Sequence, residues 1–363
     1  MTASARPASL SAGLVGVVLL VLPVLSGCLL LTQGNDRHGL QDLDEGRFLA
    51  GAWLGSWPSD DNPVIHDFQH ETGVRLDLVD VYLDWDTPVQ NVTHTLHHIA
   101  RHGAIPVLTW EAQTITTQDI LDGSRRLPLR DGRTLALDEY LAEFAKGVCA
   151  VADSTGQPVL LRVLHEMNGN WFAWGISYED AKGNRPNTAD SYHQAWAKIH
   201  DAFTSRCGDG VRFVWAINHF SVGSGADFTN AYPGDDLVDF VAIDGYNWGT
   251  NAPWGWQSFD TIFRDGYCAL AGLTNKPVLV AEIASTEKGG DKAAWIHDVF
   301  TRVPSYDRIR GLVWFNDDKY EIQVHGPMDW PLDSSPGALA AYQQGQRSAL
   351  KSSSATPAGS PPC

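Results

Sequence analysis

The chain has 363 residues, of which 44% are hydrophobic and 19% charged, with 14 tryptophans and only five cysteines. This composition excludes a disordered chain and a disulfide-framed miniprotein, and the length admits two ordinary domains or one large α/β barrel. Lys and Arg total 26 against 43 Asp and Glu, a formal charge of −17 without a basic block, so nucleic acid is not an expected partner.

The first element is an apolar run at 10–27, LSAGLVGVVLLVLPVLSG, preceded by one basic residue, Arg6, and no acid. It falls short of the ~20 residues of a comfortable membrane span. Pro23, Ser26 and Gly27 close it, so residues 1–27 read as a secretory signal. Leu25-Ser26-Gly27-Cys28 resembles the bacterial lipobox. That implies cleavage before Cys28, lipidation of its thiol, and a protein held at the outer face of the membrane without crossing it. The alternative is an ordinary signal with a chance cysteine and a secreted product. Residues 28–47 read as a tether. Four cysteines then remain, Cys149, Cys207, Cys268 and Cys363, with three possible pairings outside the cell. Cys149 lies late in one predicted helix and Cys207 ends the next, which favours that pair; Cys268 with Cys363 follows by elimination.

From residue 48 short apolar runs alternate with amphipathic stretches. The runs are 48–55, 76–85, 104–111, 158–166, 211–218, 238–247, 277–285 and 309–316. They are β-branched and aromatic, as strands buried on both faces should be. Helical patterns follow at 92–103, 137–156, 188–203, 258–273, 292–303 and 337–350, several closed by glycine or opened by Thr or Asp. The alternation predicts one (βα)8 barrel over 48–350, with an open doubly wound sheet as the alternative. No glycine-rich phosphate motif follows any strand. Residues 351–363, KSSSATPAGSPPC, read as a disordered tail. His94, His97, His98 and His102 share a helical register and read as a solvated face, not a metal site.

In such a barrel the functional groups collect where strands end. Those ends carry Trp53 and Trp57; Asp84, Trp85 and Asp86; Trp110 and Glu111; Arg162, His165, Glu166, Asn168, Trp171 and Trp174; Trp215, Asn218 and His219; Asp244, Tyr246, Asn247 and Trp248; Glu282; and Trp314, Asn316, Asp317 and Asp318. Most of the tryptophans are in that set. Indole planes suit the apolar faces of sugar rings, and carboxylates suit their hydroxyl edges. Glu166 and Glu282 end the fourth and seventh runs, on opposite sides of the mouth. An unpaired buried carboxylate is costly, so each must face a polar cavity or a partner. Two carboxyl groups flanking a bond are what glycoside hydrolysis needs, and a separation of ~5–5.5 Å marks the retaining route.

Arg162-x-x-His165-Glu166-Met167-Asn168-Gly169-x-Trp171, then Asp244-Gly245-Tyr246-Asn247, Glu282 and Trp314, resemble glycoside hydrolase family 26 over roughly residues 48–345. The resemblance implies a (βα)8 retaining endo-β-glycanase with Glu166 as acid/base and Glu282 as nucleophile. It implies that His165 positions acid/base and substrate, that Tyr246 hydrogen-bonds the nucleophile, that Trp314 forms the floor at the cleavage point, and that Trp171 lines the leaving-group side. Arg162 and Asp244 become charged supports. From their place at the strand ends, Asn168, Trp174, Trp248 and Trp110 are further candidates for substrate binding. No cofactor and no metal are implied, and a monomer is expected.

The family acts above all on β-1,4-mannan, with smaller branches on β-1,3-1,4-glucan and β-1,3-xylan. Mannan is the leading expectation, although the stretch 243–260, with Trp248, Trp254 and Trp256 as stacking platforms, looks more like the glucan-active branch. Two other readings stand: a lipid-anchored sugar-binding protein without catalysis, and an envelope enzyme trimming the cell's own exopolysaccharide.

Overall fold

The computed structural model describes residues 47–223, 225–321, 326–352 and 363. The signal at 1–27, Cys28, the tether up to 46 and most of the tail lie outside the described residues. Eight strands form the centre: β1 (Leu49–Trp53), β2 (Leu78–Asp84), β3 (Ile105–Glu111), β4 (Val159–Val163), β5 (Val211–Asn218), β6 (Phe240–Asn247), β7 (Val278–Ser285) and β8 (Ile309–Phe315). Each pairs in parallel with its neighbours, and β8 closes onto β1 with Leu49 beside Gly311, giving the expected closed barrel. Gly51 allows β2 this close, since a Cβ there would stand 2.5 Å from Leu78 Cβ.

Among the described residues eight α-helices surround it: α1 (Val64–Thr72), α2 (Val89–Arg101), α3 (Thr117–Asp122), α4 (Leu137–Thr155), α5 (Ala189–Cys207), α6 (Phe259–Leu273), α7 (Lys292–Arg302) and α8 (Pro336–Ser352). The short α1 and α3 were not legible as helices, and the described part of the β5–β6 crossover holds only 3₁₀ turns at Phe228–Ala231 and Asp235–Leu237. Thr188 opens α5 by accepting from the Ser191 amide, and Gly156 closes α4 in the left-handed conformation. One disulfide joins Cys149 of α4 to Cys207 of α5, and a second joins Cys268 of α6 to Cys363.

Side chains alternate between two cores. Leu49, Leu78, Val107, Leu160, Val214, Leu279 and Val313 fill the barrel, while their chain neighbours pack against the helices. This parity decides which strand-end residues reach the mouth. His98 departs from the expected solvated face: it is buried, with Nδ1 3.2 Å from an Asp60 carboxylate oxygen.

Candidate active site

A cavity of about 890 Å³ opens at the C-terminal ends of the strands, and both Glu166 and Glu282 line it. It also holds Trp53, Tyr82, Glu111, His165, Trp171, Tyr246, Trp248, Phe315 and Trp330. Trp171, Phe220 and Trp254 lie along it as large exposed rings, at 42%, 44% and 53% exposure.

Glu282 reaches the cavity through an irregularity in β7. The pairing to β6 passes from Ile243–Val280 to Asp244–Glu282, and the pairing to β8 from Leu312–Val280 to Trp314–Ile283, so β7 carries a bulge around Ala281. A bulge re-aims the side chain beside it. One Glu282 oxygen lies 2.7 Å from Arg162 Nη2, and the other accepts from the Tyr246 hydroxyl. Arg162 is wholly buried and also pairs with Asp244, while its Nη1 donates to Thr109 Oγ1 at 3.1 Å. Burial disfavours the guanidinium charge, but Asp244 and Glu282 outweigh it and hold Arg162 protonated. Burial and the charge of Glu282 push the Tyr246 phenol well above its ordinary range, so it keeps its proton and donates.

Glu166 sits beyond the end of β4 in a turn with an uncommon backbone. Leu164 and Glu166 have φ of 49° and 51°, left-handed values that are costly for residues with side chains. Their surroundings hold the turn. Tyr192 donates to the Leu164 carbonyl at 2.8 Å, Trp174 Nε1 to the His165 carbonyl at 2.7 Å, and the Glu166 amide to the Ala216 carbonyl at 2.8 Å. The carboxylate accepts from Asn218 Nδ2 at 2.7 Å and from Trp171 Nε1 at 2.8 Å. Gly169 is needed for that last contact, because a Cβ there would stand 2.4 Å from the Trp171 ring. Burial, and then the charge of Glu282, raise the Glu166 carboxyl from 4.5 to about 7, against the lowering effect of Asn218, Arg162 and Trp171. One carboxyl group is thus held as an acid near neutrality, and the other is gripped by a cation and a phenol. That is the division of labour acid/base and nucleophile require.

A third carboxyl, Glu111, ends β3 inside the same cavity, where burial and then Asp84 raise it to about 7. His165 Nε2 lies 4.0 Å from it, and burial together with the Arg162 charge keeps His165 neutral. Among the described residues no group of three or more His, Cys, Asp or Glu is arranged to hold a metal ion.

Several residues expected to bind substrate do other work. Trp110 faces outward from β3, stacked at 3.9 Å on Phe144 of α4 and at 4.2 Å on Trp85. Trp314 is likewise turned outward, 5.6 Å from Tyr342 of α8, so it is not the floor of the site; Phe315, one residue on, faces the cavity. Trp174 is fully buried behind the site, stacked on Phe172 at 4.3 Å. Asn168 is also buried: its side chain donates to the Asn218 carbonyl at 2.8 Å and accepts from the Asn218 amide at 2.9 Å, tying the Glu166 turn to β5. Arg162 and Asp244 lie beneath the carboxylates rather than on the cavity wall. Trp256 packs over Gly290 instead of lining the cavity. His165, Trp171, Tyr246, Trp248 and Trp254 do line it.

Tyr82, Phe315 and Trp330 also line the cavity without being expected there, as does Asn218, which was expected only as a strand end. Strand parity anchored at Val313 would have selected Phe315. Trp330 comes from a loop after the barrel, with no local signal. Its ring stacks on Tyr246 at 4.6 Å and 20°. The Tyr82 hydroxyl and Trp330 Nε1 have no hydrogen-bond partner among the described residues.

The model of glycosyl hydrolase family 26 matches residues 71–320. Endoglucanase H of Acetivibrio thermocellus is 36% identical over 332 residues, covering 90% of this chain and 33% of that protein. A mannan endo-1,4-beta-mannosidase of Bacillus subtilis is 28% identical over 244 residues, covering 66% of this chain and 55% of its own length. The chain therefore spans between a third and just over half of these two relatives. A solved mannanase structure from Bacillus subtilis superposes with a TM-score of 0.57 at 24% identity, covering 83% of this chain and 86% of that one, which shows a shared fold.

Proposed function

The chain belongs to glycosyl hydrolase family 26, and from that premise we propose that it is a retaining endo-β-glycanase. The observation that carries the reading is the unlike pair in one cavity: Glu166, raised to about 7, and Glu282, held by Arg162 and Tyr246. Glu282 attacks the anomeric carbon while Glu166 gives its proton to the departing glycosidic oxygen. A glycosyl–enzyme ester forms at Glu282. The Glu166 carboxylate then takes a proton from water, the hydroxide attacks the anomeric carbon, and Glu282 leaves. Neutral His165 and the Tyr82 hydroxyl offer hydrogen bonds to sugar hydroxyls. The exposed rings of Trp171, Phe220 and Trp254 offer stacking platforms along an extended chain, which favours endo action.

The polymer proposed first is β-1,4-mannan, the substrate in the names of several relatives. A mixed-linkage β-glucan is the second reading. It is favoured by the relative at 36% identity over 90% of the chain, which is named an endoglucanase. Mannose and glucose differ in one hydroxyl's orientation, so the choice rests on individual hydrogen bonds. Reducing-sugar release is to be measured on mannan, lichenan, xylan and cellulose. Release from mannan supports the first reading, and release from lichenan alone transfers the proposal to glucan. Binding without release from any polymer overturns catalysis in favour of a sugar-binding protein.

Among the described residues no helix is long and apolar enough to cross a membrane. We place the enzyme, as a monomer, on the outer face of the membrane through a lipid on Cys28. Cys28→Ala should move it from the membrane fraction to the soluble one; an unchanged distribution rejects the anchor.

A further inference from the structure

Lys292 is a buried cation that hydrolysis as described above does not use. It is the first residue of α7, directly after the capping Asp291. A positive charge at a helix N-terminus opposes the helix dipole, and burying an ammonium adds a desolvation cost. Yet Lys292 is 0% exposed. Its Nζ donates to the carbonyls of Asp329, Trp330 and Pro331 at 2.7, 3.2 and 2.9 Å and to Ser334 Oγ at 2.8 Å, and it stands 5.9 Å from the centre of the Trp314 ring. Four oxygens from one short stretch, 329–334, thus converge on a single ammonium group. That stretch carries Trp330, whose ring lines the cavity and stacks on Tyr246, the residue that donates to Glu282. The Trp330 carbonyl has one further anchor, Trp314 Nε1 at 2.9 Å.

We propose that Lys292 is a positioning residue which, as an ammonium ion, clamps the 329–334 loop and so fixes Trp330 against Tyr246 and Glu282. The role rests on the glycanase reading above. It explains why Trp314 is turned away from substrate: with Lys292 it holds the loop whose own indole faces the cavity. An ammonium group has three donors for these four acceptors, whereas a neutral amine has two and no charge, so the clamp weakens on deprotonation. Burial lowers Lys292 to about 8, against the opposing charges of Glu287, Asp329 and Asp333, the ionisable groups that face it.

The test compares Lys292→Met and Lys292→Arg with the wild type in two ways. The first is kcat and KM against pH on a dinitrophenyl glycoside, whose leaving group departs without the Glu166 proton. Wild-type kcat should fall above pH about 8. In Lys292→Met, kcat should be about tenfold lower and flat through that range, with KM changed less than kcat. In Lys292→Arg the alkaline fall should move upward, because a guanidinium stays charged. The second is hydrogen exchange of the peptide spanning 329–334, which needs no turnover. It should quicken in Lys292→Met and stay near wild type in Lys292→Arg. An unchanged exchange rate in Lys292→Met, or a Lys292→Arg profile with the same alkaline fall as wild type, overturns the clamp. If Lys292→Met does not fold, the Lys292→Arg profile decides alone. Should no glycoside be turned over by any form, the glycanase reading fails while the exchange experiment still judges the clamp.

Discussion

Replacing Asn218 with alanine tests the acid/base assignment through a neighbour. Asn218 Nδ2 donates to Glu166 Oε1 at 2.7 Å in a buried setting. A donor to a carboxylate favours the ionised form, so its removal leaves Glu166 protonated to higher pH. A hydrogen bond to a charged group contributes ~1.5–3 kcal/mol, and 1.36 kcal/mol corresponds to about one pKa unit. The Glu166 carboxyl, at about 7 in the intact site, should therefore rise to about 8–9 in Asn218→Ala. The assay is kcat/KM against pH on an unactivated oligosaccharide. The alkaline limb should move upward by about one to two pH units, while the plateau falls about tenfold because the carboxyl loses one of its two orienting donors. On a dinitrophenyl glycoside the first step needs no proton, so the variant should lie near wild type. A limb that stays in place, or moves to lower pH, would falsify Glu166 as the proton donor.

Three other outcomes follow from the same geometry. Glu282→Ala should lose about 10⁴-fold or more in kcat. Added azide should recover part of it by entering the vacated space and yielding a glycosyl azide of inverted configuration; near-normal turnover would remove Glu282 from the mechanism. Arg162→Met leaves Asp244 and Glu282 buried without their cation, so urea melts should show a loss of about 3–5 kcal/mol, and a melt unchanged within error contradicts that. Glu166→Gln should stabilise the fold at pH 8 but scarcely at pH 4. The folded carboxyl titrates at about 7 against 4.5 in an unfolded chain, so the folded state binds the extra proton between those values. Wild-type stability is then fully present below 4.5, falls as pH rises to about 7, and stays low above it. The gap corresponds to about 3 kcal/mol at most, to be read from paired melts at the two pH values; equal gains at both would reject it.

The barrel and the pair Glu166 and Glu282 were legible in the chain alone. Strand runs announce themselves through β-branched and aromatic residues, and an acid at the end of an apolar run has few acceptable surroundings. The tryptophans were not legible in the same way. Strands buried on both faces show no polar–apolar alternation, so nothing local says whether Trp314 or Phe315 looks into the barrel. Only the packing around Val313 fixes the parity, and one step along a strand turns a side chain to the opposite face. An indole suits a protein core as well as a sugar, which is why Trp110 and Trp174 could pass for binding residues while serving as packing. Asn168 misled for a related reason: a polar side chain in a functional run can satisfy the backbone that shapes the run, as it does at Asn218. The bulge that aims Glu282, the left-handed turn under Glu166 and the arrival of Trp330 from a loop gripped by Lys292 all depend on contacts between segments distant in the chain. The local pattern was enough to select the fold and to place Glu166 and Glu282 at one cavity, whereas the surface presented to a substrate was set by which side of each strand faced inward once the barrel closed.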